Sequence, residues 1–145
     1  MQELGEIVAT LEDYAKAYCA KDIDALMLVF DSSEEISVIG TGGDELCSGI
    51  KSVKELFLRN FAEATATKFE WGWSNIIVIS EGCAVVSQYL TIHVSTKQGA
   101  ICVPVRWSVV LKKADRWLWV HRHASTASDS QLRGCAYPNP SEKRE

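Results

Sequence analysis

Two histidines two residues apart, His121 and His123, sit in the β-rich stretch Trp117-Leu118-Trp119-Val120-His121-Arg122-His123-Ala124-Ser125. Alternate residues of a strand share a face, so both imidazoles project the same way. Imidazole titrates near neutral pH and suits proton transfer. Arg106 on the neighbouring segment supplies a fixed positive fork that pairs planar carboxylates. Together these groups suggest an anchor for a small, partly aromatic acid. The alternative for Arg106 is an internal ion pair with a helix acid such as Glu12 or Asp13. Two imidazoles fall short of the three or four protein ligands zinc takes. The third histidine, His93, is placed opposite Pro104 with no acid close by, so no metal and no cofactor is expected.

Hairpin counting extends this face. A two-residue turn at Ala114-Asp115 sets Ser108 against His121 and Arg106 against His123. A second turn at Gln98-Gly99 sets Tyr89 against Ser108 and Thr91 against Arg106. One face then carries Tyr89, Thr91, Arg106, Ser108, Trp119, His121 and His123, unless a bulge flips part of it. The opposite face carries Leu90, Ile92, Val105, Trp107, Val109, Leu111, Val120 and Arg122. Polar groups buried beneath helices need partners or water, so the polar face is expected to be concave and to line a wet pocket. The apolar face is expected to meet a second copy through Trp107, Val109, Leu90, Ile92 and Val120. Catalytic candidates are His121, His123 and Tyr89. Asp44 and Glu45 lie on a loop, expected to be solvated; the alternative is reach to the pocket mouth.

The elements that position these groups follow from periodicity. Residues 3–20 repeat apolar positions at three- and four-residue steps, including Leu4, Ile7, Leu11, Tyr14 and Tyr18, which marks a helix. Tyr14 and Tyr18 could close the pocket from there. Asp22 caps a second helix running to about Phe30. A strand at 34–39, a glycine-rich loop and a third helix at about 50–64 follow. Four β-rich segments then cover 68–80, 83–97, 100–113 and 116–126. Their short connections make an antiparallel meander, and strands this long must twist strongly. The fold class is α+β, with helices on a curved antiparallel sheet around an internal pocket.

Bulk properties narrow the partners. The chain has 145 residues, 47% of them hydrophobic, which suits one domain with its own core. A net charge of −4 with scattered Lys and Arg sets nucleic acid aside. No apolar run reaches membrane-helix length and the N-terminus is acidic, so a cytoplasmic location without membrane contact is expected. The five cysteines are widely spaced, which predicts neither a disulfide framework nor a zinc knuckle but small apolar roles in the core. The domain is read as 1–128, and the Ser-, Pro- and charge-rich residues 129–145 as a flexible tail.

Three stretches carry a resemblance: Lys21-Asp22-Ile23-Asp24-Ala25-Leu26; Ile39-Gly40-Thr41-Gly42-Gly43-Asp44-Glu45 with Ser48-Gly49-Ile50; and the closing strand from Trp117 to Ser125. Over about residues 5–127 the chain resembles the nuclear transport factor 2-like, cystatin-like superfamily. Within it the chain looks like the SnoaL-like branch that includes the calcium/calmodulin-dependent protein kinase II association domain. The resemblance implies a cone with a deep pocket, and dimers or rings of dimers. It implies no one activity, since members include isomerases, dehydratases, cyclases, binding modules and assembly domains. The expectation is a small-molecule-binding domain. The alternatives are an isomerase-, dehydratase- or cyclase-type enzyme in the same pocket, and an oligomerisation domain.

Overall fold

A computed structural model describes residues 2–140. Three helices, α1 (Gln2–Ala20), α2 (Ile23–Val29) and α3 (Ile50–Glu63), pack on one sheet. Its strands are β1 (Ser37–Ile39), β2 (Leu46–Ser48), β3 (Thr65–Ser80), β4 (Cys83–Thr96), β5 (Gly99–Lys113) and β6 (Trp117–Ser125). The sheet order is β2-β1-β6-β5-β4-β3. All pairs are antiparallel except β1 on β6. The α+β cone expected from the sequence is therefore the observed fold. The short strand β2 escaped the reading, because three residues are too few to show a period.

Helix α1 ends because Lys21 turns left-handed, at φ 54°. That conformation lets Lys21 N donate to Tyr18 O at 3.2 Å and Asp22 N to Ala17 O at 3.0 Å, which satisfies the last carbonyls. The next residue opens α2: the Asp22 side chain accepts from Ala25 N at 3.1 Å. Two consecutive residues thus fold α2 back and leave the apolar stripe of α1, namely Ile7, Leu11, Tyr14 and Ala17, buried.

That stripe selects which face of the sheet is inside, and the choice reverses the expected one. Trp107 is 3% exposed, Val109 and Leu90 are fully buried, and Ile92 packs against the same core. The helices bring an apolar surface, and the apolar face of the sheet removes more of it from water than the polar face would. Trp107, Val109, Leu90 and Ile92 are thus core residues, not a surface for a second copy. Val120 is half-buried. Tyr89, Arg106, Ser108 and His123 are exposed on the outer face.

Register explains the remaining differences. The β5–β6 loop has three residues, so Lys113 pairs with Trp117, and a bulge at Val120 then sets Val110 against His121. The extra residue leaves His121 and His123 on the outer face and turns Trp119 inward. Trp119 is fully buried and donates from Nε1 to Thr10 Oγ1 at 2.9 Å. The β4–β5 turn is centred on Lys97-Gln98, so Tyr89 pairs with Arg106 and Ser108 with Ser87. This slip of two residues preserves the face grouping. Three irregularities along β3 bend the outer edge of the sheet. At one of them Gly72 allows a close approach of β4: a Cβ there would lie 3.0 Å from Tyr89 O. Trp71 then stays with the inner rings of Phe69 and Trp107, while Trp73 is 66% exposed.

Cys19 and Cys47 are half-buried and pack against the core, Cys83 is half-buried, and Cys102 and Cys135 are exposed, so the expected apolar role holds for part of the set. Residues 129–137 form turns, with Asn139 N donating to Ser130 O at 2.8 Å, while 141–145, also assigned to the tail, lie outside the described residues. Among the described residues no helix is long and apolar enough to cross a membrane. Trp107 donates from Nε1 to Gln88 Oε1 at 3.0 Å inside the core. Trp107→Ala should lower unfolding free energy by about 3–5 kcal/mol in urea titration. A loss below about 1 kcal/mol would mean the ring is not a packed wall.

Candidate functional site

The inner face of the sheet and the helices line a half-open cavity of about 280 Å³. β4 and β5 give it an apolar wall of Ile92, Val103, Val105 and Trp107, joined by Phe69 from β3. Helix α1 contributes Tyr14 and Tyr18, α3 contributes Asn60, and the β1–β2 loop contributes Glu45. β6 contributes Arg122. A wider groove of about 770 Å³ runs between α1, α2 and the β5–β6 loop, but it is lined by solvated groups such as Glu6, Lys16, Asp115 and Arg116. The smaller cavity is the one that combines an apolar wall with a buried charge.

Arg122 is that charge. It is 7% exposed and sits on β6 between the outward His121 and His123, so strand alternation turns it inward. Nη1 donates to Tyr14 Oη at 2.6 Å, and Nη2 donates to Ile39 O at 3.3 Å. The guanidinium carbon lies 5.9 Å from the Phe57 ring centroid, within reach of a cation–π contact. Nε is buried without a hydrogen-bond partner. Among the described residues no carboxylate forms an ion pair with it. A buried cation without an anion is costly, and an anionic guest relieves that cost.

Tyr14 links the charge to the core. Its ring stacks on Trp119 at 4.7 Å between centroids and meets Trp107 edge-on at 5.3 Å. Because its oxygen accepts from Arg122, its own hydrogen remains free to donate. Burial pushes the phenol upward from its ordinary value, outweighing the opposing charge of Arg122, so it stays protonated. Tyr18 stacks on Tyr14 at 5.8 Å and is likewise raised, by burial first and then by Tyr14. Both phenols are thus neutral donors at physiological pH.

The loop acids separate. Asp44 is solvated and pairs with Arg59 at 2.8 Å. Glu45 turns inward: its side chain is 15% exposed, 3.8 Å from Arg59 Nη2, and it accepts from Gly42 N at 3.1 Å. The loop closes tightly over that carboxylate, since a Cβ on Gly40 would meet Glu45 Oε1.

The structure brings Tyr14 and Tyr18 to the cavity and places the other expected site residues elsewhere. Arg106, Ser108, Tyr89 and His123 surround a shallow hollow on the outer face, together with Trp73. Thr91 is half-buried on that face. Trp119 is core. Among the described residues Arg106 donates to Thr126 O, at 3.4 Å, and neither Glu12 nor Asp13 pairs with it. His121 shares a hydrogen bond of 2.7 Å with Ser37 Oγ. His93 stands opposite Cys102 rather than Pro104, and an acid is close after all: Glu70 Oε1 lies 2.8 Å from its Nε2. Arg122 falls with the apolar face in the strand alternation, which hides it as a site residue. The available signal was an arginine in register with Trp107 and Val109, where only a partnered or functional charge is tolerated. Among the described residues no three His, Cys, Asp or Glu side chains converge as a metal site.

A family model for the SnoaL-like domain matches residues 7–129, and the chain belongs to that family. No curated protein matches it. Among solved structures it is similar to a ketosteroid isomerase-like protein from Erwinia carotovora atroseptica, at 19% identity and TM-score 0.72, covering 87% of this chain and 97% of that one. It is similar to a candidate dehydratase of the NTF2-like family from Streptomyces avermitilis, at 15% identity and TM-score 0.77, covering 87% and 97%. A candidate calcium/calmodulin dependent protein kinase II association domain from Xanthomonas campestris matches at 16% identity and TM-score 0.75, covering 86% and 87%. At such identities the likeness is one of fold.

His121 generates a pH prediction. Burial lowers its pKa below 6.5; the nearby His123 charge adds to this, and the Ser37 hydrogen bond opposes it. The unfolded chain then binds the proton more readily, so stability falls as pH drops below 6.5. His121→Gln should flatten this loss, read as the urea midpoint between about pH 7.5 and about pH 5.5. An equal slope in both proteins would remove His121 as its source.

Proposed function

We propose that the chain binds a small organic anion, partly aromatic or otherwise apolar, in the inner cavity. Arg122 is the anion anchor and Tyr14 the hydroxyl donor beside it. The supporting observation is the buried guanidinium with no carboxylate partner among the described residues. The wall of Trp107, Phe69 and Val105 suits an apolar body, and a cavity of about 280 Å³ suits a small molecule. Five free thiols accord with a reducing compartment such as the cytoplasm.

A thermal-shift screen of small aromatic and aliphatic acids tests the reading. A ligand at 100 times its dissociation constant adds about 2.7 kcal/mol and raises the melting temperature. Charged hydrogen bonds are worth about 1.5–3 kcal/mol, so Arg122→Met should weaken a hit by roughly ten- to a hundredfold. Arg106→Ala, on the outer face, should leave it unchanged. A hit lost in Arg106→Ala and kept in Arg122→Met would overturn the assignment.

Glu45 favours a second reading, an acid–base enzyme of the isomerase, dehydratase or cyclase type. An inward carboxylate near two neutral phenols has the elements of a proton acceptor and hydrogen-bond donors. In that case Glu45→Gln abolishes turnover of a bound acid while binding persists. Unchanged turnover in that variant would exclude Glu45 as the base.

A further inference from the structure

On the outer face, away from the cavity, three side chains form a relay across β3, β4 and β5. Glu70 Oε1 lies 2.8 Å from His93 Nε2, and His93 Nδ1 lies 3.4 Å from Cys102 Sγ. The register holds them there: His93 is directly opposite both Lys68 and Cys102, with Glu70 one diagonal step along β3. The thiol is exposed, and the imidazole is about one-third exposed. Glu70 and Cys102 engage opposite nitrogens of one ring, so the three do not converge on a point as metal ligands would.

The carboxylate settles the proton arrangement. A hydrogen on Nε2 donates to Glu70, which leaves the Nδ1 lone pair facing the thiol. The hydrogen bond with His93 and the Lys68 charge keep the Glu70 carboxyl below its ordinary value, so it remains an acceptor. A thiol beside a base that a third group orients is the arrangement of an activated nucleophile.

We propose that Cys102 is a reactive thiol and a site of mixed-disulfide formation with small, solvent-borne disulfides, with His93 as its base and Glu70 as the positioning residue. The Cys102 proton passes to His93 Nδ1, and the thiolate attacks one sulfur of the disulfide. A new bond forms to that sulfur while the old S–S bond breaks. The departing thiolate keeps the bonding pair and takes the proton from His93. Cys102 is oxidised and half of the disulfide is reduced, so no further reagent is needed. The inference is independent of the anion reading, because Cys102 projects from the opposite side of the sheet.

Cys135 is an exposed thiol with no histidine or acid bonded to its sulfur among the described residues, and it serves as the internal reference. The native chain is treated with limiting iodoacetamide and, separately, with oxidised glutathione, and each cysteine's modification is followed by peptide mass spectrometry. Cys102 should react at least about tenfold faster than Cys135 with both reagents. His93→Gln should bring it to the Cys135 rate, and Glu70→Gln should give an intermediate rate. Equal rates for Cys102 and Cys135, or a rate unmoved by His93→Gln, would overturn the relay. Fast alkylation without a glutathione adduct would overturn disulfides as the reacting class.

Discussion

The contact on which the molecule turns is the short hydrogen bond from Arg122 to the Tyr14 hydroxyl, 2.6 Å long and buried under the helices. It joins the last strand to the first helix across 108 residues of chain. Tyr14 cannot move without disturbing Trp119 and Trp107, because its ring is packed flat on one and edge-on to the other. The guanidinium is therefore held by aromatic packing rather than by a counter-ion. A cation fixed this way is already held in place by Tyr14 Oη and Ile39 O before any anion meets it.

This arrangement makes the two sides of one sheet chemically different. Inside, aromatic and branched residues surround one arginine and two neutral phenols. Outside, His123, Arg106 and Ser108 are exposed, while His121 bonds Ser37 and His93 bonds Glu70. The bulge at Val120 is the device that combines both demands on a single strand. Without the extra residue, Trp119 would share the side of His121, and the aromatic cluster around Tyr14 would lose its stacked partner. The Glu70–His93–Cys102 relay likewise depends on register, since a one-residue slip in β4 would send His93 to the inner face.

Closure of the cavity depends on two local turns. Lys21 and Asp22 end one helix and begin the next, which folds α2 beside α1. The Gly40–Glu45 loop folds over its own carboxylate and is tied to α3 through Arg59. The first pair forms from residues adjacent in sequence and is readable there. The second needs Arg59, fourteen residues beyond Glu45, so from the sequence an inward carboxylate is only the alternative to a solvated loop.

The sequence by itself determined the helices, the four long strands, the meander and which residues share a face along β4 and β5. These follow from periods of 3.6 and 2 and from turn chemistry, all local in origin. It also carried the family, through the closing strand. Only the tertiary structure decided which face is inside. Alternation separates two faces without saying which one the helices cover; the burial of α1 against the more apolar side does. That choice moved Arg106, Tyr89 and His123 to the solvent, brought Arg122 to the cavity, and made Trp107 a core residue. The bulge that reassigned Trp119 was equally hidden, because an unpaired residue in a strand leaves no mark in composition and appears only when two strands are laid side by side.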